Sequence, residues 1–378
     1  MNGSHPSSWL VALVALVAHV ALVALVALGG VSGCDARATS APPASNAIPT
    51  AAAKAVTAPA PRFLKGQLHA HTDGSGDSDT PAAEAAAWYA DHGFDFVVFT
   101  DHNRVTETRA PGGMLAIRGV ELTRNLRRCD PEPEPGDACL LHVNALFVGS
   151  SSGRITLDPP SSLARTELYG RAVDRAIALG GIAQLNHPNF HHGADVEVLV
   201  ALAARGLTLV EIENRAVDSG NEGDARHAST EALWDAALLR GAHVLGTATD
   251  DAHHYGDAAA TRARGETAYV GDRGFVMVRA EKNEAAIRAA IVAGDFHGST
   301  GILLDRLDLT AESVAVEVRA QDAPTTIEIL VDGKVVASVR GPSLRLDPRK
   351  EHGKYLRVRV TDTAGRKAFS QPLWLAPG

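Results

Sequence analysis

The chain of 378 residues has little sulfur and few aromatic rings: three cysteines, three methionines, and Phe, Tyr and Trp together at only 5%. So few aromatics argue against a stacking platform for single-stranded nucleic acid. There is no block of basic residues, and 36 basic against 44 acidic side chains leave a formal net charge of −8. No dedicated nucleic-acid-binding region is therefore evident. Neither GxGxxG nor GxxxxGK[ST] stands at a strand–helix turn, which weakens dinucleotide and P-loop binding. What is present is 45% hydrophobic and 21% charged, enough to bury a core and to exclude global disorder. The length suits two folded units better than one. Against these shortages stand 16 histidines, many beside acidic residues.

The first 33 residues contain no Asp, Glu, Lys or Arg, and residues 9–28 are almost entirely Ala, Val and Leu. Such a run is long enough to span a bilayer. It is followed by Val31-Ser32-Gly33-Cys34, which resembles the lipobox of bacterial lipoproteins, although the leader lacks the usual Lys or Arg. The expectation is a signal peptide over 1–33, a lipid anchor at Cys34 and an exported, membrane-anchored lipoprotein on the periplasmic or cell-surface side. A retained transmembrane helix is the alternative. Residues 34–62 form a Pro/Ala-rich tract that cannot bury a face and reads as a tether. With Cys34 used by the anchor, Cys129 and Cys139 remain, flanking DPEPEPGDA. In an oxidising compartment the pair suggests a disulfide, whereas a zinc site would want a second matching pair.

From residue 63 apolar runs alternate with Ala-rich amphipathic ones. Strands are predicted at 64–70, 94–100, 116–122, 140–148, 181–187, 207–213, 243–249 and 275–280. Helices are predicted at 81–91, 162–179, 195–205, 226–240 and 281–293. This α/β alternation predicts a largely parallel sheet, and seven or eight such strands favour a barrel over an open doubly wound sheet. Residues 301–378 read instead as a small β-rich, sandwich-like domain. Val314, Val316 and Val318 alternate with polar residues, and Asp332-Gly333 between two apolar runs signals a hairpin.

The polar residues gather at the ends of the predicted strands. QLHAHTDGSGDS supplies His69, His71 and Asp77, VVFTDHN supplies Asp101 and His102, and RGVELT supplies Glu121. The fourth strand begins with His142, the fifth ends at His187, the sixth carries Glu211 and Glu213, and TATDDAHH supplies Asp251 and His253. One HxH or DxH is commonplace, but several at successive strand ends point to a metal site suited to Zn, Mn or Fe. His191, His192 and His254 read as rim or surface residues. His5, His92, His227, His243, His297 and His352 read as ordinary structural or surface histidines.

The series HAH…D, TDHN, GVE, H, NHP and DDAH resembles the PHP (polymerase and histidinol phosphatase) superfamily over most of residues 63–300. GFVMVRA, GDFHGSTG and AFSQPLWL resemble its exported branch named for carbaryl hydrolase (CehA/McbA-like). The resemblance implies a distorted (β/α)7 barrel with two or three divalent ions. It implies a first ion on His69, His71, Asp251 and a bridging Glu121. A second would rest on Glu121, His142 and His187, and a third on Asp77, His102 and His253, with Asp73 and Asp79 as competitors of Asp77. Cations sharing a carboxylate lower the pKa of a water between them from about 16 to about 7, making a hydroxide nucleophile. Glu121, Asp251 and Asp101 are thus the residues expected to carry catalysis, Asp101 by orienting a ligand histidine. Arg104, Arg124, Arg215 and Asn186 are candidates for holding a small, phosphorylated ester substrate. The expected activity is metal-dependent phosphoester hydrolysis. The alternatives are hydrolysis of a carboxylic ester, carbamate or amide, and a non-catalytic metal-binding surface protein.

Overall fold

The computed structural model describes residues 62–149 and 153–376. The apolar leader 1–33, Cys34 and residues 35–61 lie outside the described residues.

In chain order the main strands of the first part are β1 Phe63–Gln67, β2 Phe96–Phe99, β3 Leu115–Leu126, β4 Cys139–Leu146, β5 Ile182–Leu185, β6 Leu209–Asn214, β7 Leu245–Thr249, β8 Phe275–Arg279 and β9 Phe296–Ser299. The helices are α1 Ala82–Asp91, α2 Arg165–Ala178, α3 Val196–Ala204, α4 Thr230–Leu239, α5 Ala258–Ala263 and α6 Glu284–Ala293. Local chemistry accounts for the helix starts. Asp195, Ser229 and Asn283 accept hydrogen bonds from the backbone N–H three residues on, capping α3, α4 and α6. Gly294 ends α6 in the left-handed conformation that glycine adopts freely. Strand β2 is buried along its whole length, as its unbroken apolar run requires; β5 is equally buried, and its one polar residue, Gln184, is hydrogen-bonded to Glu211 and Thr247.

The tail contributes β10 Leu304–Leu309, β11 Val314–Val318, β12 Thr325–Val331, β13 Lys334–Arg340, β14 Ser343–Leu346, β15 Tyr355–Asp362, β16 Lys367–Ser370 and β17 Leu373–Trp374. The Asp332-Gly333 turn is the expected one: both residues have positive φ, and Val331 pairs with Lys334 across it. Strands β10, β11 and β14 form an antiparallel three-stranded sheet. Its Val314 and Val316 share one core with Ile327, Ile329, Val358 and Val360 of the larger sheet.

The architecture corrects the expected (β/α)7 barrel. Fourteen strands make one mixed sheet, in the order β13-β12-β15-β16-β9-β8-β1-β2-β3-β4-β5-β6-β7, with β17 on β15. Only β1/β2, β2/β3, β5/β6 and β6/β7 pair in parallel. Strand β4 is antiparallel to both neighbours, and β8 is antiparallel to β1 and β9. The strand path ends at β7, and tail strands extend the other side through β9/β16. Alternating strand and helix runs report local conformation; they do not determine which way neighbouring strands run or whether a sheet closes.

Candidate metal centre

Beyond β1 the chain bends at Leu68 and then carries His69 and His71. Ala70 bridges to Ala252 beyond β7, and the Asp251 N–H donates to the His69 carbonyl at 3.1 Å. Beyond β2, His102 bridges to Glu121. Glu121 lies inside β3 and not at the strand end expected from GVELT, because β3 continues to Leu126. Since β4 runs antiparallel to β3, His142 near its start lies beside Thr123 and faces the same site. His187 and Asp251 follow β5 and β7 with φ of 24° and 53°. Such backbone costs about 1–3 kcal/mol per residue and persists where the surroundings impose it.

Glu121 is the hub. Its Oε1 lies 3.5 Å from His69 Nε2, 3.1 Å from His142 Nδ1 and 3.6 Å from His187 Nε2. Its Oε2 lies 3.5 Å from His71 Nε2 and 2.7 Å from His102 Nδ1. Asp251 Oδ1 is 3.2 Å from both His69 Nε2 and His71 Nε2. Asp77 Oδ2 is 2.9 Å from His102 Nε2 and 3.5 Å from His253 Nε2. Three groups thus have donor atoms close enough to share an ion: His69, His71 and Glu121; Glu121, His142 and His187; and His71, Asp77, His102 and His253. Asp73 and Asp79 are exposed and belong to none of them.

The donor set fits divalent cations. Glu121 Oε2 and His142 Nδ1 are buried, and their close neighbours, His102 Nδ1 and Glu121 Oε1, do not meet them in hydrogen-bond geometry, which is costly unless something else compensates them. The far nitrogens of four of the six histidines are engaged. His69 Nδ1 lies 2.7 Å from Glu211 Oε1, His71 Nδ1 2.7 Å from Ser75 Oγ, His142 Nε2 2.9 Å from Asn125 Oδ1, and His253 Nδ1 2.9 Å from the Asp251 carbonyl. An acceptor on the far nitrogen fixes the tautomer and turns the near lone pair inward, as in metal-ligating histidines.

The electrostatics follow from this crowding. Burial opposes the charged form of Glu121, but His142, His102 and His69 hold its pKa well below the ordinary carboxylate value. Burial likewise disfavours protonation of His69, yet Asp251, Glu211 and Glu121 raise its pKa well above 6.5. Burial and His253 push His71 down to about 3, so it is neutral and offers a lone pair.

Glu211, one of the strand-end carboxylates of the sequence but with no role assigned there, orients His69 from behind. Beyond His69 it accepts from Thr249 Oγ1 at 2.7 Å and from the His187 N–H at 2.7 Å. Asn214 joins it, donating to Glu211 Oε2 and Asp251 Oδ2. Asp101 accepts from the Thr72 N–H and hydroxyl, both at 2.6 Å, and from the Thr106 hydroxyl. It braces the loop after His71 and does not orient a histidine directly. Asn186 donates to Glu121 Oε1 at 2.8 Å. Arg124 donates to the Asp158 carbonyl, Arg215 pairs with Glu213 at 3.1 Å, and Arg104 is exposed. A cleft of about 290 Å³ opens on the centre, walled by Leu140, Phe190, Asn214, Ser219 and Tyr269. Among the described residues, none lining it is Arg or Lys.

No family model matches the chain, and no curated protein matches it. Among solved structures, an engineered protein is similar over 48% of this chain at 14% identity, with a TM-score of 0.16. The chain spans 45% of that structure's length, and a likeness of this degree carries no argument about fold or function.

Proposed function

We propose that the protein is a metal-dependent hydrolase acting on a small phosphoester. The observation that carries the reading is Glu121, one buried carboxylate shared by the His69/His71 and His142/His187 groups. The resemblance of the HAH, TDHN, GVE, NHP and DDAH motifs to those of PHP metallohydrolases supports it. Divalent ions bound there, of the Zn, Mn or Fe class, supply water activation and neutralise charge building on the reacting ester. The chain's own residues supply the frame. Glu121, Asp251 and Asp77 provide the anionic oxygens. Glu211, Ser75 and Asn125 hold the histidine rings, and Leu140 and Phe190 form an apolar wall beside the centre.

A second reading, hydrolysis of a carboxylic ester, carbamate or amide, is favoured by one observation: the cleft has no Arg or Lys among its described lining residues. A phosphoryl group would meet no fixed guanidinium there, whereas a neutral acyl group needs none. The Cys129–Cys139 disulfide, with Cα atoms 6.0 Å apart, supports the proposed export as a lipoprotein anchored at Cys34. Mass spectrometry of the membrane fraction that found an intact Met1 terminus would overturn the anchor.

The activity is tested by loading the purified protein with Zn, Mn or Fe. Turnover is then measured on p-nitrophenyl phosphate, bis(p-nitrophenyl) phosphate, p-nitrophenyl acetate and an aryl carbamate. Glu121→Gln keeps the shape but removes the charge. It is expected to lose more than one equivalent of metal and to lower turnover by about 10³-fold, with circular dichroism unchanged. Turnover confined to the carboxyl substrates selects the second reading. Full metal loading with no turnover on any of them selects a non-catalytic metal-binding protein.

A further inference from the structure

Four carboxylates line the cleft over the metal centre: Asp77, Glu121, Asp218 and Asp251. Asp77 and Glu121 belong to the ion-sharing groups, and Asp251 meets His69 and His71. Divalent ions would compensate all three. Asp218 has no such task. It stands on the loop after β6, and among the described residues its side-chain partner is the Tyr269 hydroxyl, which donates to Oδ2 at 2.9 Å. With no Arg or Lys among the described lining residues, its charge meets the cleft uncompensated.

Asp218 is held from two sides. Ser219 Oγ donates to the Asn214 and Ala216 carbonyls at 2.7 and 3.0 Å, and Asn189 Nδ2 donates to the Gly220 carbonyl at 3.0 Å, which braces the loop around it. On the other wall, the N–H groups of His253 and His254 donate to the Tyr269 carbonyl at 3.0 and 2.9 Å. The Tyr269 ring centroid lies 5.6 Å from that of His253. One tyrosine side chain thus spans from a histidine of the centre to Asp218. Burial and the Asp218 carboxylate push the Tyr269 phenol up to about 12, so it remains a donor at neutral pH. A carboxylate fixed beside apolar walls is screened less than one on open surface; it attracts cations and repels anions. Phe190 and Tyr269 add aromatic rings to the wall, and these attract an ammonium group further.

We propose that Asp218, held by Tyr269, is a subsite for an organic cation, so that the substrate is an ester whose alcohol portion carries an ammonium group. The inference rests on the hydrolase reading above and adds the charge of the substrate to it. The reacting ester would lie on the ions, and the ammonium beside Asp218, Tyr269 and Phe190. The subsite suits a phosphoester and a carboxylic ester equally, because it touches the alcohol that both classes share. It also accounts for a cleft lined without Arg or Lys: a basic side chain there would occupy Asp218 and repel the alcohol. A protonated amine and a quaternary ammonium share the required charge, and the second also presents methyl groups to the aromatic wall.

The test uses pairs of esters of equal shape and different charge, on the full chain loaded with Zn or Mn. Phosphocholine is compared with 3,3-dimethylbutyl phosphate, acetylcholine with 3,3-dimethylbutyl acetate, and phosphoethanolamine with propyl phosphate, the last pair separating amine from quaternary ammonium. For a pair that is turned over, kcat/KM is expected to be about tenfold or more higher for the cationic member, mainly through KM. Asp218→Asn keeps an acceptor for the Tyr269 hydroxyl but removes the charge, and should bring that ratio below about threefold. Binding is read separately by calorimetric titration with choline, expected to bind the parent about tenfold or more tightly than Asp218→Asn. Turnover with no preference for the cationic member, in the parent and Asp218→Asn alike, would overturn the subsite and leave the hydrolase reading standing. No turnover of any ester, with choline still bound through Asp218, would overturn the hydrolase reading and leave the subsite. No turnover together with equal choline binding by the two proteins would overturn both.

Discussion

Glu211 does for His69 what no short motif announces. It sits in the strand LVEIEN, all six residues of which are buried, so alternation does not say which carboxylate reaches the centre. The ligands themselves were readable because they cluster in short polar motifs directly beyond apolar runs. The residues that orient them were not, because Glu211 lies 142 positions from the ring it holds. Glu211→Gln retains the shape but removes the acceptor charge behind His69. It is expected to weaken the most dependent inner ion about 10- to 100-fold, measured by competition with a chromophoric chelator. An unchanged affinity would make Glu211 a packing residue.

His297 shows the opposite case, a histidine with no ligand role. Burial, and secondarily Arg279, push its pKa from 6.5 down to about 3, and neither ring nitrogen has a hydrogen-bond partner. Between these values the unfolded chain binds a proton that the folded chain refuses. His297 therefore carries no protonation penalty above about pH 6.5, and stability is lost progressively as pH falls toward 3. His297→Leu should flatten part of that loss, seen as a smaller difference in urea midpoint between pH 7 and pH 4.5 than in the parent. Identical slopes would show that the ring has access to water or a partner.

At the scale of elements, positions were readable and directions were not. Seven of the first eight strands overlap their predicted segments closely because apolar β-branched runs bounded by glycine or charge leave few alternatives. The exception is β3, whose polar extension Thr123–Leu126 was unmarked because it pairs with the equally extended start of β4. Helix α5 was missed, being six residues long with no capping hydrogen bond from a side chain. The β3–β4 connection contains the disulfide, and its removal should act mainly on the unfolded chain. Replacing Cys129 and Cys139 together by Ser is expected to lower stability by about 2–3 kcal/mol, read from urea unfolding. Unchanged stability would mean that the loop is ordered as firmly without the cross-link.

For the whole molecule, the tail is tied to the metal-bearing part by charge as well as by the sheet. Arg357 is fully buried and holds Asp235 at 2.8 and 2.6 Å and Glu231 at 2.7 Å, both on α4. Lys367 Nζ reaches Glu213 at 2.6 Å, and Gln371 exchanges two hydrogen bonds with Gly246. Cutting the chain after residue 300 removes all of these cross-links at once. It also uncovers the β9 edge. The 63–300 fragment is therefore expected to aggregate or to unfold without a cooperative transition, judged by size-exclusion chromatography and thermal melting. A monomeric fragment with the parental melting temperature would show that the tail is dispensable.

The antiparallel neighbour of β1 is β8, and the Gln67 amide donates to the Gly274 carbonyl 207 positions away. The first of the described strands thus lacks one of its two partners until residues 275–279 exist. Closing so long a loop must precede any reward from the pairing, which makes for slow assembly dominated by non-local contacts. An incomplete chain presents β1 as an unpaired apolar edge, a state prone to association with other chains. Folding of this protein is accordingly an event that follows completion of the chain, and its yield depends on how well that waiting edge is kept apart from its copies.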